Sequence, residues 1–175
     1  SKLEYDSYED FQQNFSINVS DEFNFAYDVV DEYALKCPDK RAVVWCNDEG
    51  EEHIFNFRKL KELSDKAAAF FQSIGIKKGD KVMLILKRRY EFWYIIIALH
   101  KIGAIGVPAT HLLRKKDIVY RNVAGEIKTI VCLNESEIVH EVELAMPESP
   151  SIKNLVMVNG EKEGWLSFDQ EISRQ

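Results

Sequence analysis

Between residues 57 and 158 the chain alternates two apolar patterns, and this alternation restricts its fold more than any other feature. One pattern is short and continuous: KVMLIL at 81–86, AIGVP at 104–108, KTIVCL at 128–133 and LVMV at 155–158. Runs that are apolar at every position suit strands covered on both faces. The other pattern is longer and helical. Leu60, Leu63, Ala67, Phe70, Phe71 and Ile74 recur at steps of three and four residues and form one stripe. Similar reasoning predicts helices near 90–102, 115–124 and 135–145. The resulting order, helix then strand repeated, predicts an α/β fold: a doubly wound, mostly parallel sheet with flanking helices and right-handed crossovers.

Local signals punctuate this pattern. Asn56 is placed to cap the helix over 57–74, with Phe55 before it positioned to pack on Leu60. Gly75 stands where a left-handed residue ends a helix, and GIKKGDKV turns the chain into the first central strand. Upstream, RAVVWC and HIFNF flank the turn NDEGE, which predicts an amino-terminal β-hairpin over 41–57. FNFAYDVVDEYAL reads as a helix with Phe25, Val29 and Tyr33 on its apolar face and Val30 at the margin, capped by Asn24 or Asp21 and stopped by Pro38. The expected organisation is an acidic lead-in over 1–23, extended or briefly helical, followed by an α/β segment over 24–175.

Charge is unevenly distributed. The net charge of −6 argues against a general nucleic-acid binder. Residues 1–40 carry ten acids and three lysines, whereas 77–121 carry eleven Lys or Arg and three acids. That basic segment reads either as a solvated surface or as a face for an anionic ligand. Lys87, Arg88 and Arg89 lie at a strand's carboxyl end, where ligands of open α/β sheets bind.

Other residue types point away from conventional catalytic constellations. Cys37, Cys46 and Cys132 lack metal-like spacing and fit free thiols in a reducing compartment. His53, His100, His111 and His140 are scattered, and no metal site is expected. Phe92 and Trp93 are expected in the core. The longest apolar run, FWYIIIAL, is too short to span a bilayer. The first 25 residues have no apolar signal region, so a cytoplasmic location is expected.

A family resemblance sharpens the expectation. FNFRKLKELSDKAAAFFQSIGIKKGDKVMLIL, YEFWYIIIALHKIGAIGVPAT and KKDIVYR occur in order. Gly75-Ile76, Gly79-Asp80 with Val82, Glu91-Phe92, Gly103-Ala104-Ile105, Pro108, and Asp117-Ile118 with Arg121 match corresponding elements. This set resembles the amino-terminal part of the AMP-forming acyl-CoA synthetases of the adenylate-forming superfamily, over roughly 24–170. The EFW helix, KKDIVYR and EGWLSF look closest to the medium-chain and acetyl-like branch.

The resemblance implies an enzyme that activates a carboxylic acid with ATP and Mg²⁺ to an acyl-AMP, then transfers the acyl group to coenzyme A. It implies that the phosphate loop and adenylating lysine lie beyond Gln175, so no catalytic residue is assigned and the isolated chain is expected to be inactive and to hold no cofactor. Thr110, His111 and Leu112 match positions that contact the nucleotide of CoA in acetyl-type relatives, although those relatives carry glycines in place of His111 and Leu112. An incomplete sheet would also favour self-association. The alternative is a stand-alone, non-catalytic α/β module that binds a nucleotide or another anion on its 87–121 face.

Overall fold

The computed structural model describes residues 4–175. A short helix, α1 (Tyr8–Asn14), precedes a π-helical turn over Ala26–Asp31 and α2 (Glu32–Lys36). The expected hairpin follows as antiparallel β1 (Arg41–Cys46) and β2 (Glu52–Asn56). The main layer then begins with α3 (Phe57–Ser73), whose first turn is capped by Asn56 Oδ1 accepting the Lys59 N–H at 2.8 Å. Gly75 and Gly79, both at φ +85°, carry the chain around the following turn into β3 (Lys81–Ile85).

The alternation then continues through α4 (Glu91–Lys101), β4 (Ile105–Pro108), α5 (Lys115–Gly125), β5 (Ile127–Leu133), α6 (Ser136–Ala145) and β6 (Asn154–Val158). The strand order β4-β3-β5-β6 continues into β7 (Leu166–Ser167), and all four pairings are parallel. Alternate residues enter two cores, as a pleated sheet requires. Val82, Leu84, Val131 and Val156 pack in the cluster containing Phe70, Phe71, Ile95, Leu99 and Phe168. Met83, Ile85, Ile130, Cys132 and Met157 meet Ile118, Ile138 and Val142 on the opposite face. The sheet therefore lies between α3, α4 and the final helix α7 (Phe168–Ser173) on one side and α5 and α6 on the other.

Several local expectations need correction. The helix after Asn24 begins with a widened π turn, which buries Ala26, Val30 and Asp31 and leaves Phe25 and Tyr33 exposed. Its Asp31 is held by a distant charge: Lys101 on α4, whose side chain is 2% exposed, bonds Asp31 Oδ1 at 2.8 Å and Asp65 Oδ1 at 2.5 Å. Trp93 is 49% exposed on the outer side of α4 rather than in the core. The helix near 115–124 does end at Gly125, and the next residue, Glu126, is left-handed at φ +50°. Beyond LVMV the fold adds β7 and α7, which the apolar runs do not announce; Phe168 of α7 is fully buried against Phe70 and Phe71.

Candidate functional site

The carboxyl ends of β3, β5 and β6 face a cleft of about 760 Å³, with the β1–β2 hairpin forming its other wall. The wall is positioned by aromatic contacts. Tyr90, after β3, lies with its ring centroid 5.2 Å from Trp45 of β1 and 4.4 Å from His53 of β2. Trp45 Nε1 donates to the Arg88 carbonyl at 2.5 Å, tying the hairpin to the turn after β3. On the opposite side, Asn134 follows β5 and Asn159 follows β6. The backbone of Gly160 passes so close that an added Cβ would fall 2.1 Å from Asn134 Nδ2.

The cationic triplet has three different environments. Lys87, at φ +49°, pairs with Glu135 at 2.5 Å. Arg89 grips buried Glu91 through Nε and Nη2, at 2.9 and 2.5 Å. This hydrogen bond to Glu91 outweighs burial and holds the guanidinium pKa above its usual value. Arg89 also lies 4.7 Å from the Tyr90 ring centroid. Burial, reinforced by the Glu91 charge, raises the Tyr90 phenol above its ordinary range. The exposed Arg88 side chain alone in this triplet has no partner among the described residues.

The basic run farther along is also largely neutralised. Arg114 reaches Glu137 at 2.7 Å and Glu141 at 3.4 Å, while Lys115 reaches Glu148 at 2.5 Å. The excess positive charge seen in sequence is therefore not a continuous anion face, because acids on α6 and the turn after it meet it.

Thr110, His111 and Leu112 occupy the exposed turn after β4, at the same sheet end as the cleft but outside its lining. The turn is fixed from both sides: Ala109 N–H donates to the Leu84 carbonyl at 2.9 Å, and Leu113 is buried. Leu112 N–H donates to Thr110 Oγ1 at 3.3 Å. Arg114 N–H then donates to Asp117 Oδ2 at 3.2 Å, so Asp117 supplies the capping contact that the arginine side chain cannot.

Sequence reasoning did not bring Trp45, His53, Tyr90, Asn134 and Asn159 together. The Asn159-Gly160 pair directly after a strand was the available turn signal. Cys132 is buried at the inner face of β5, where burial pushes its thiol up to about 12. Among the described residues, no group of His, Cys, Asp and Glu is arranged to hold a metal. No described helix is long and apolar enough to cross a membrane.

The chain belongs to the AMP-binding enzyme family, matched over residues 30–174, and with it to the adenylate-forming superfamily. Among its relatives are acyl-coenzyme A synthetase ACSM4, mitochondrial, of Rattus norvegicus, 37% identical over 85% of this chain. Another is acyl-coenzyme A synthetase ACSM1, mitochondrial, of Mus musculus, 39% identical over 85% of this chain. The matched regions occupy 26% and 27% of those proteins, so the chain spans about a quarter of their length. The fold matches a crystal structure of the anthranilate CoA ligase AuaEII in complex with anthranoyl-AMP, with TM-score 0.79, 20% identity, and coverage of 90% of this chain and 29% of that one. The expected cytoplasmic location is overturned, because the relatives are named as mitochondrial proteins.

Proposed function

We propose that residues 24–175, behind the acidic lead-in 1–23, form the amino-terminal α/β segment of an AMP-forming acyl-CoA synthetase of the acetyl or medium-chain type. The observation that carries this reading is 35–39% identity across about 155 residues to proteins named acyl-coenzyme A synthetases. The complete enzyme joins a carboxylic acid to ATP, with Mg²⁺ screening the phosphates, to give acyl-AMP and pyrophosphate. The CoA thiol then displaces AMP and forms the thioester. A carboxylate is a poor electrophile, and its anhydride with AMP supplies the leaving group. Such chemistry rests on holding charged groups in position.

Within this scheme the chain contributes a wall of the cleft and part of the CoA site. Thr110, His111 and Leu112 contact the CoA nucleotide. Their exposure and the Thr110 hydroxyl support the assignment. The pairing of Lys87, Arg89, Arg114 and Lys115 favours this reading over an independent anion-binding module, which would need those cations free.

The test uses this chain and the longer protein containing it, each incubated with ATP, Mg²⁺, CoA and straight-chain acids from acetate to decanoate. The longer protein should release AMP, pyrophosphate and acyl-CoA, and the chain alone should release none. Absence of acid-dependent AMP release by the longer protein, or thioester formation by the chain alone, would overturn the proposal.

A further inference from the structure

The most unusual surface lies away from the cleft. Residues 4–22 contain six carboxylates and no Lys or Arg. Interleaved with them are large apolar side chains left open: Tyr8 is 71% exposed, Ile17 70% and Val19 53%. Phe11 and Phe15 gather at 4.8 Å between ring centroids, and α1 has no buried residue. At the arm's root, Asn24 Nδ2 donates to the His100 carbonyl at 2.8 Å and Tyr27 Oη donates to the Lys101 carbonyl at 3.3 Å.

A surface of complementary chemistry lies at the sheet edge. Among the described residues β4 is the terminal strand, and no strand neighbours its outer backbone edge. Ile105 at its start is 47% exposed. On α5, Lys116, Tyr120 and Val123 follow at four- and three-residue steps, a helical spacing that places them on one side. Tyr120 is 70% and Val123 55% exposed; Lys116 and Arg121 are exposed cations beside them. The strip is thus apolar, with Lys116 and Arg121 beside it and the Lys81–Glu126 ion pair at its far end, whereas the arm is apolar with negative margins.

We propose that two copies of this chain associate by exchanging arms, the residues 4–23 of each lying across the β4–α5 strip of the other. Large open apolar patches on soluble proteins mark contact surfaces. Here, both halves of such a contact occur on one chain, and the arm leaves its own strip uncovered. Reciprocal exchange uses each surface once and closes as a two-fold dimer. Opposite charge at the margins selects this pairing over alternatives in a chain whose net charge of −6 otherwise opposes self-contact.

Sedimentation of the 175-residue chain tests the proposal. A concentration-dependent dimer is expected, weakened about tenfold or more by high salt as charge contacts are screened. A chain lacking residues 1–22, and a chain carrying Lys116→Glu with Tyr120→Asp, should each be monomeric and retain the parent's circular dichroism. Mixed together they should form a heterodimer, because one intact arm and one intact strip remain. In the unaltered chain, carbodiimide treatment of mixed light and heavy isotopic copies should couple Glu9 or Asp21 to Lys116 between copies. A monomer at every concentration, a dimer that survives loss of the arm, or cross-links confined to single copies would overturn the proposal.

Discussion

Lys101 Nζ lies 2.8 Å from Asp31 Oδ1, joining the π turn to α4 across 70 residues of sequence. Asp65 on α3 completes the contact at 2.5 Å, and only 2% of the lysine side chain is exposed. Lys101→Met should destabilise the chain by about 3 kcal/mol, because it removes the close cation from a largely buried carboxylate and leaves it only Lys61, at 3.8 Å. Lys61→Met, at a partly open neighbouring site, should cost less than about 1 kcal/mol. Urea unfolding measures both changes, and hydrogen exchange over residues 24–36 should rise selectively in the Lys101 variant. Equal costs at the two sites would contradict this assignment.

Acid should weaken the same region and the turn before β3. Burial alone would raise the Asp65 and Asp80 carboxyls, but Lys101 and Lys61 act on the first, and Lys128 and the Lys77 N–H on the second, holding both below 3.8. A depressed folded pKa contributes stability fully present above the unfolded value and lost as pH falls through the folded value. The unfolding free energy from these groups should be flat above about pH 5 and decline below about pH 4. Lys128→Met should make that acid limb shallower. An unchanged limb would remove Asp80 from the explanation.

The thiols should separate by accessibility. Cys37 and Cys46 are exposed, whereas Cys132 is buried with its thiol pushed up to about 12. At pH 8 a thiol reagent should label two cysteines rapidly and the third only after denaturant is added. Mass spectrometry of the labelled peptides identifies each site, and rapid native labelling of Cys132 would count against the described packing of β5.

The cleft wall provides a test of paired charge. Arg89→Ala leaves Glu91, 2% exposed, without its two hydrogen bonds from arginine and should cost about 3 kcal/mol. Arg89→Met combined with Glu91→Leu should recover most of that loss, since no ionised group is then stranded. Additive losses in denaturant titrations would show that the two side chains contribute independently.

The strands were legible because their information is local. KVMLIL and KTIVCL are apolar at successive positions, and only a sheet covered twice can bury both parities. The capped start of α3 and the reversals at Gly75 and Gly79 were legible for the same reason. The burial of Asp31 was not, because FNFAYDVVDEYAL contains no sign that it reaches Lys101. The basic segment was misleading for a related reason: its charges are local in sequence, but Glu135, Glu137 and Glu141 reach them only after the chain has folded. The cleft depends on Trp45 meeting Tyr90 across 45 positions, a relationship no periodicity encodes. β7, two residues long, is too brief to leave a pattern.

The widened turn over Ala26–Asp31 sets the heading at which the preceding polypeptide leaves the body. One residue corresponds to about 100° of rotation around an ordinary helix. Omitting Val29 while α2 stays seated would tighten the coil and swing Asn24 away from the His100 carbonyl it now meets at 2.8 Å. The everted segment would keep its composition but point elsewhere, so the chain's outward reach is governed by a single count of residues in its first docked coil.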